Sequence, residues 1–337
     1  PIGFVPALLA MVPAVPPVAF AATAPDEFGR APIGTGPFVL DSWTAGQQMT
    51  LSRNENYWGT PALLDGVEIT WNSEAESRVA LLETGEADLV KGVPPQLVER
   101  VASGNGLMVE STPSVGVIVL QPNSKVPPFD DVRVRQAVAH AIDRDALVGV
   151  IFSGVGATAH DTIFPASFAS AVSPEGAATY DPEAAKALLA EVGDIGPIEF
   201  YWPNGRYVLD AQVGEAIAGM LEDAGFTVDR KPMEAGAYFE LLLTDEMPGM
   251  HMIAVLSSLP HESYALNSFF LPTSVVTYCA QDELVELNDV GRSLEGEERA
   301  AAYSDIARRL IVDEACPIPM YVENQNWGMT DSVVGFT

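Results

Sequence analysis

Polar side chains suited to gripping a small solute gather in three short stretches, each after or within a run that reads as a β-strand. The first is SSLPHESYALNSFF (257–270), which follows HMIAVL and carries Ser258, His261, Glu262 and Tyr264. A partly buried carboxylate such as Glu262 makes a strong, charge-assisted contact with an ammonium group. The second, YWPNGRY (201–207), offers Asn204, Arg206 and Tyr207. An arginine there presents a planar fork that holds a carboxylate bidentately. The third, ENQNW (323–327), sets Asn324, Asn326 and Trp327 on a closing strand. Each also has a plainer reading: a loop closing on itself, a turn built on Pro203-Asn204-Gly205, and edge-strand decoration.

Signatures of catalysis are missing. There is no GxSxG elbow, His261-Glu262 is not HExxH, and no Gly-rich loop leads from a strand into a helix. Carboxylates carry no specificity, because with 46 acidic residues any fold places some in pairs. His140, His160, His251 and His261 are too scattered for a metal cage, so no metal and no cofactor is expected. A binding module that captures a small polar solute by hinge closure is therefore preferred to an enzyme. The alternatives are a secreted hydrolase acting on peptides or glycans, and a receptor or chaperone on the same scaffold.

The elements that must position these groups are legible from periodicity. PFVLDSW, MTLSRN and GVEITWN alternate as short strands, and Ser73 with Glu76 suggests a capping box opening a helix over 74–84. ADLVKGV and SVGVIVLQ (114–121) read as strands around a helix over 94–103. The run 131–142 carries Val134, Ala137, Val138 and Ala141 on one helical face, and Asp143 and Asp181 open further helices. From 198 to 256 the chain alternates strand, helix, strand, helix, strand, which implies a parallel sheet covered on both faces. Two further helices, 282–292 and 297–314, precede the final strand PIPMYV.

Charge limits the partners. The 337 residues carry a net charge of −29, a field that repels nucleic acid and anionic lipid. The apolar opening, residues 1–24, resembles a secretory h-region but lacks a basic start and contains five prolines. It reads as buried mature protein whose own beginning is missing. Cys279 and Cys316 could form one disulfide, which spacing alone does not decide. Arg133, Arg135, Asp143 and Arg144 read either as a docking cluster or as an internally paired helix face. The aromatic pair Tyr57-Trp58 reads as core.

In order, these segments resemble family 5 of the bacterial extracellular solute-binding proteins. PIGTGPFVLDSW (32–43), LSRNENYWG (51–59) and RVALLETGEADLVKGVPP (78–95) are similar to its early blocks. PPFDDVRVRQAVAHAIDRDALV (127–148) resembles a family block nearly residue for residue, and YDPEAAKALLAEVG (180–193) and ARRLIVDEACPIPMY (307–321) match later ones. The resemblance implies an α/β, two-lobed periplasmic-binding-protein architecture (type II, cluster C) with mixed and parallel sheets. It implies a short peptide or glutathione-like ligand between the lobes, delivery to an ABC permease, a monomer, and a periplasmic or cell-surface-anchored location. Family members are longer, so the implied lobes are 1–122 plus 318–337 (lobe I, incomplete) and 123–317 (lobe II). In peptide-binding relatives the loop matching 257–270 often carries an Asp for the ligand's α-ammonium. No Asp lies between Asp245 and Asp282, which leaves Glu262 as its substitute.

Overall fold

The computed structural model describes residues 17–22, 24–274 and 276–336, and its contacts divide the chain at Val90/Lys91 into a smaller and a larger unit. The smaller unit opens with two short helices, α1 (Pro17–Ala22) and α2 (Pro25–Arg30). Val18 is 85% exposed, so this part of the opening segment is not the buried stretch its apolar composition suggests; residues 1–16 lie outside the described residues. An antiparallel sheet follows, β1 (Phe38–Thr44), β2 (Gln48–Arg53) and β3 (Gly66–Thr70), with Trp43, Met49 and Ile69 aligned across it. Trp58 is 81% exposed and donates to the Thr35 carbonyl, so it is not core. Helix α3 (Ala75–Glu83) begins without the expected capping box. Asn72 performs that task instead, accepting the Glu74 N–H at 2.9 Å and donating to Ser77 at 2.8 Å.

Strand β4 (Leu89–Lys91) spans the division, and the larger unit continues with α4 (Pro95–Ala102) and the long β5 (Leu107–Pro122). Then come α5 (Val132–Ala141), α6 (Arg144–Ile151), β6 (Ala157–Ala159), α7 (Pro182–Val192) and β7 (Ile198–Asn204). After these are α8 (Asp210–Asp223), β8 (Val228–Glu234), α9 (Ala235–Leu242), β9 (Met250–Leu256) and α10 (Ser263–Phe269). The chain closes with α11 (Glu283–Ser293), α12 (Gly296–Arg308), a π-helical turn (Arg309–Asp313) and β10 (Ile318–Thr330). The strands lie in the order β10–β5–β9–β7–β8, with β6 on β10. β7 is parallel to β8 and β9, whereas β9–β5 and β5–β10 are antiparallel, so the sheet is mixed.

Near-continuous apolar strands arise because both faces of this sheet are covered. Ile118, Leu120, Met252 and Ala254 face α5, α6, α7 and α8, meeting Val138, Leu147, Ala185 and Ile217. Val117, Val119, Ile253 and Val255 face the other way, against Tyr238, Leu266, Leu284 and Tyr303 of α9 to α12. Gly214 lets α8 lie directly on the sheet, since a Cβ there would fall 2.4 Å from the Trp202 indole.

The arginines of α5 and α6 are internal ties. Arg133 pairs with Asp131 at its own helix start. Arg135, with a side chain only 4% exposed, donates to the carbonyls of Phe129 and Glu314 (both 2.7 Å) and to the Glu314 carboxylate (3.0 Å). Arg144 donates to the carbonyls of Pro319 (2.7 Å) and Ala178 (3.1 Å). Both buried forks thus hold the helices to the chain entering β10. Replacing Arg135 by methionine fills similar volume but removes the donor to the carbonyls of Phe129, Asp130 and Glu314 and to the Glu314 carboxylate. An unfolding titration is expected to show a loss of about 3 kcal/mol, and an unchanged midpoint would refute this role.

Candidate functional site

The parallel strands β7 and β9 bring Asn204 and the chain after Leu256 to the same end of the sheet, beyond their carboxyl termini. In open α/β sheets that end is where ligands sit. The link from β7 to α8 makes a tight loop there. Its organiser is Asp210, 4% exposed, whose carboxylate accepts the N–H groups of Gly205 (3.1 Å), Arg206 (2.7 Å), Tyr207 (2.9 Å) and Ala211 (2.9 Å). Four backbone donors on one buried carboxylate fix the loop without help from regular structure, and they hold Leu209 at a left-handed φ of 56°.

Three side chains then take defined places. The Tyr207 hydroxyl accepts the Ala254 N–H at 3.0 Å, pinning the loop to β9, and burial pushes its pKa up to about 12. Arg206 stays exposed, with its guanidinium over the rings of Tyr207 (5.2 Å) and Phe239 (6.0 Å). Among the described residues it makes no ion pair, although the chain has 46 acidic residues. Glu323 of β10 reaches across and accepts the Val208 N–H at 2.8 Å. Burial raises its carboxyl above the usual range, opposed by the Val208 hydrogen bond and the charge of Arg206, and reinforced by Asp210.

Of the residues singled out from sequence, Asn204, Arg206 and Tyr207 come together here, and Asn204 is exposed. Ser258 is exposed just past β9, while Ser257 beside it is buried. His261 and Glu262 are 2% and 3% exposed. Glu262 accepts from Ser170 at 2.8 Å and faces Arg299 of α12 at 3.4 Å. His261 accepts the Ser263 N–H at 3.1 Å and packs edge-on against Tyr303, and burial lowers its pKa. Tyr264 is half-buried on α10, a helix within a stretch that reads as loop. Asn326 is bound by Ser111 (2.6 Å) and the Val93 carbonyl (3.2 Å). Asn324 donates to the Val155 carbonyl at 3.0 Å, and the Trp327 ring packs at a tilt against Phe336, with the Lys91 ammonium 5.5 Å from its centroid.

Two organising residues, Asp210 and Glu323, are absent from that sequence-derived set. Asp210 has a signal in hindsight, an acidic residue closing a Gly-containing turn at a helix start. Glu323 opens the ENQNW stretch but does not stand out within it, because it lies at an irregularity in the β10–β5 register, between Val322 and Asn324. Such bulges re-aim side chains in ways alternation does not reveal.

The family model for bacterial extracellular solute-binding proteins, family 5 Middle, matches residues 2–276. The chain belongs to this family. It is 31% identical over 169 residues to the dipeptide-binding protein of Escherichia coli (strain K12), covering 50% of this chain and 31% of that protein. It is 32% identical over 214 residues to glutathione-binding protein GsiB of the same organism, covering 62% of this chain and 41% of that one. The chain thus spans less than half the length of these curated relatives. Among solved structures, putative peptide-binding protein AppA from Clostridium difficile superposes with a TM-score of 0.85 at 19% identity, covering 95% of this chain and 68% of that one. AgaA from A. tumefaciens R10, solved with agropinic acid, superposes with a TM-score of 0.77 at 24% identity, covering 96% and 67%. These likenesses show a shared α/β periplasmic-binding-protein fold. The family is extracellular by description, and among the described residues no helix is long and apolar enough to cross a membrane.

Proposed function

We propose that the chain forms part of an extracytoplasmic solute-binding protein of an ABC importer, capturing a short peptide or glutathione-like solute between two lobes and delivering it to the permease. The lobes are those implied by the family pattern, 1–122 with 318–337 and 123–317, and the protein acts as a monomer without catalysis. One observation carries the reading: Arg206 is an exposed cation with no ion pair among the described residues, held by a carboxylate-anchored loop at the end of the sheet where solutes bind. Its fork would take the solute's carboxylate, with Asn204 and Tyr207 beside it. The dipeptide- and glutathione-binding relatives support a ligand that bears such a group.

Ser258 and Tyr264 are accessible contributors, as are Asn324 and Trp327 in part. His261, Glu262 and Asn326 have polar atoms engaged inside the fold, and we assign them to holding their loops. The Cys279–Cys316 disulfide supports an oxidising, extracytoplasmic location.

Calorimetry and thermal melts with dialanine and glutathione test the proposal. A bound probe raises the melting temperature and is recovered intact. Arg206→Ala is expected to weaken binding at least about tenfold, or about 1.4 kcal/mol, while leaving the ligand-free melt unchanged because the side chain is exposed. Absence of binding by any carboxylate-bearing probe, or hydrolysis of the peptide, would sink the reading.

A further inference from the structure

Glu323 couples two features that the capture reading leaves unused. Its carboxylate ties β10 to the loop bearing Arg206 through the 2.8 Å bond from the Val208 N–H. It also forms, with Asp210, the negative counterweight to an arginine that has no ion-pair partner among the described residues. The charged and titratable groups facing it are Arg206 and Asp210 from the loop, with Tyr207 on that loop and Tyr321 on its own strand. On its other side β6 contributes Ala157, which does not titrate. The Tyr321 hydroxyl is fully buried and makes no hydrogen bond among the described residues. Arg206 is thus the one cation in this group.

We propose that Glu323 couples capture of an anionic group at Arg206 to uptake of a proton, so that the site grips a carboxylate-bearing solute more tightly in mildly acidic than in neutral medium. The inference rests on Arg206 being the solute's anchor. An incoming carboxylate adds a second negative charge within the field of Glu323. Beside a half-buried carboxylate a second like charge disfavours joint ionisation, so one proton relieves the conflict. Arginine stays charged throughout, and the solute's own carboxylate remains ionised above about pH 4, so Glu323 is the group left to titrate. Burial already raises its titration from the ordinary carboxylate value. Protonation keeps the Val208 bond, because the acid's carbonyl oxygen still accepts it.

Glu323→Gln mimics the protonated state, retaining an acceptor for Val208 while removing the charge. Calorimetry with dialanine and glutathione, at about pH 5.5 and about pH 7.5 and in buffers of different ionisation enthalpy, counts the protons taken up. For the wild type, binding should be about fivefold or more tighter at the lower pH, with net uptake. Glu323→Gln should bind at the higher pH as tightly as the wild type does at the lower, with the slope removed. Dialanine amide, which lacks the carboxylate, should show no such slope in either protein. A flat wild-type profile, or a variant that keeps the slope, overturns the coupling. If no probe binds the wild type, the capture reading fails separately. The coupling is then read without ligand, by carbon NMR titration of Glu323 in wild type and Arg206→Gln. Loss of the cation should raise its midpoint, and an unmoved midpoint refutes the proposal.

Discussion

Replacing both Cys279 and Cys316 by alanine is expected to lower the unfolding free energy by about 4 kcal/mol, from the loop-closure entropy of a crosslink of this span. The bridge joins residues 37 apart in sequence, with Cα atoms 5.4 Å apart. Both cysteines are 1% exposed, and the Cys316 sulfur packs 3.3 Å from the Pro122 carbonyl at the end of β5. The crosslink therefore ties the turn before α11 to the chain entering β10, where Arg135 and Arg144 also attach. These ties converge on the point at which the last strand joins the sheet. Without the bridge, the segment from α11 through the π-helical turn regains its freedom in the unfolded chain. The check is a denaturant titration with and without reductant. The wild type should shift to the double-alanine midpoint once reduced, and the variant should ignore reductant. An unshifted midpoint in the variant would show that packing alone sets the geometry.

The order of elements was legible because periodicity and capping agree locally. Asp131, Asp143 and Asp181 each accept a backbone N–H at a helix start, as their positions suggest. The alternation from Ile198 to Leu256 gave the parallel strands because βαβ segments need a helix between them. Long-range facts were not legible. Nothing local shows that β5 runs antiparallel to β9, that Arg135 ends in the carbonyl of Glu314, or that Glu262 is enclosed by Ser170 and Arg299. Polar residues in one loop look alike whether they face solvent or a neighbouring helix. For the candidate site, the turn of Asn204, Arg206 and Tyr207 could be read directly, whereas Glu323 needed the strand irregularity that aims it.

Acid should destabilise the protein through His251, by about 1.4 kcal/mol for each pH unit below the unfolded midpoint and by roughly 4–5 kcal/mol in all. The ring is completely buried between Gln121, whose side-chain oxygen lies 3.0 Å from Nε2, and Tyr278, whose ring centroid is 4.6 Å away. Its Nδ1 makes no hydrogen bond among the described residues. A charge there would be desolvated with only Asp245 to favour it, so burial lowers the midpoint from 6.5 to about 3. The sign follows from proton counting. Below 6.5 the unfolded chain binds a proton that the folded protein refuses, so stability falls as pH drops toward about 3.

Other groups act on the same curve. Glu323, raised by burial, contributes in the opposite sense, and relief of self-repulsion at a net charge of −29 also favours the fold on acidification. The comparison must therefore be differential. His251→Phe with Gln121→Leu removes both polar partners and keeps a ring against Tyr278, a pairing that mutational precedent makes close to neutral near pH 7. From about pH 6.5 to about pH 4 the variant's stability should gain on the wild type by about 1.4 kcal/mol per unit. Parallel curves would mean that His251 titrates normally in the fold and would overturn the role given to its burial beside Gln121.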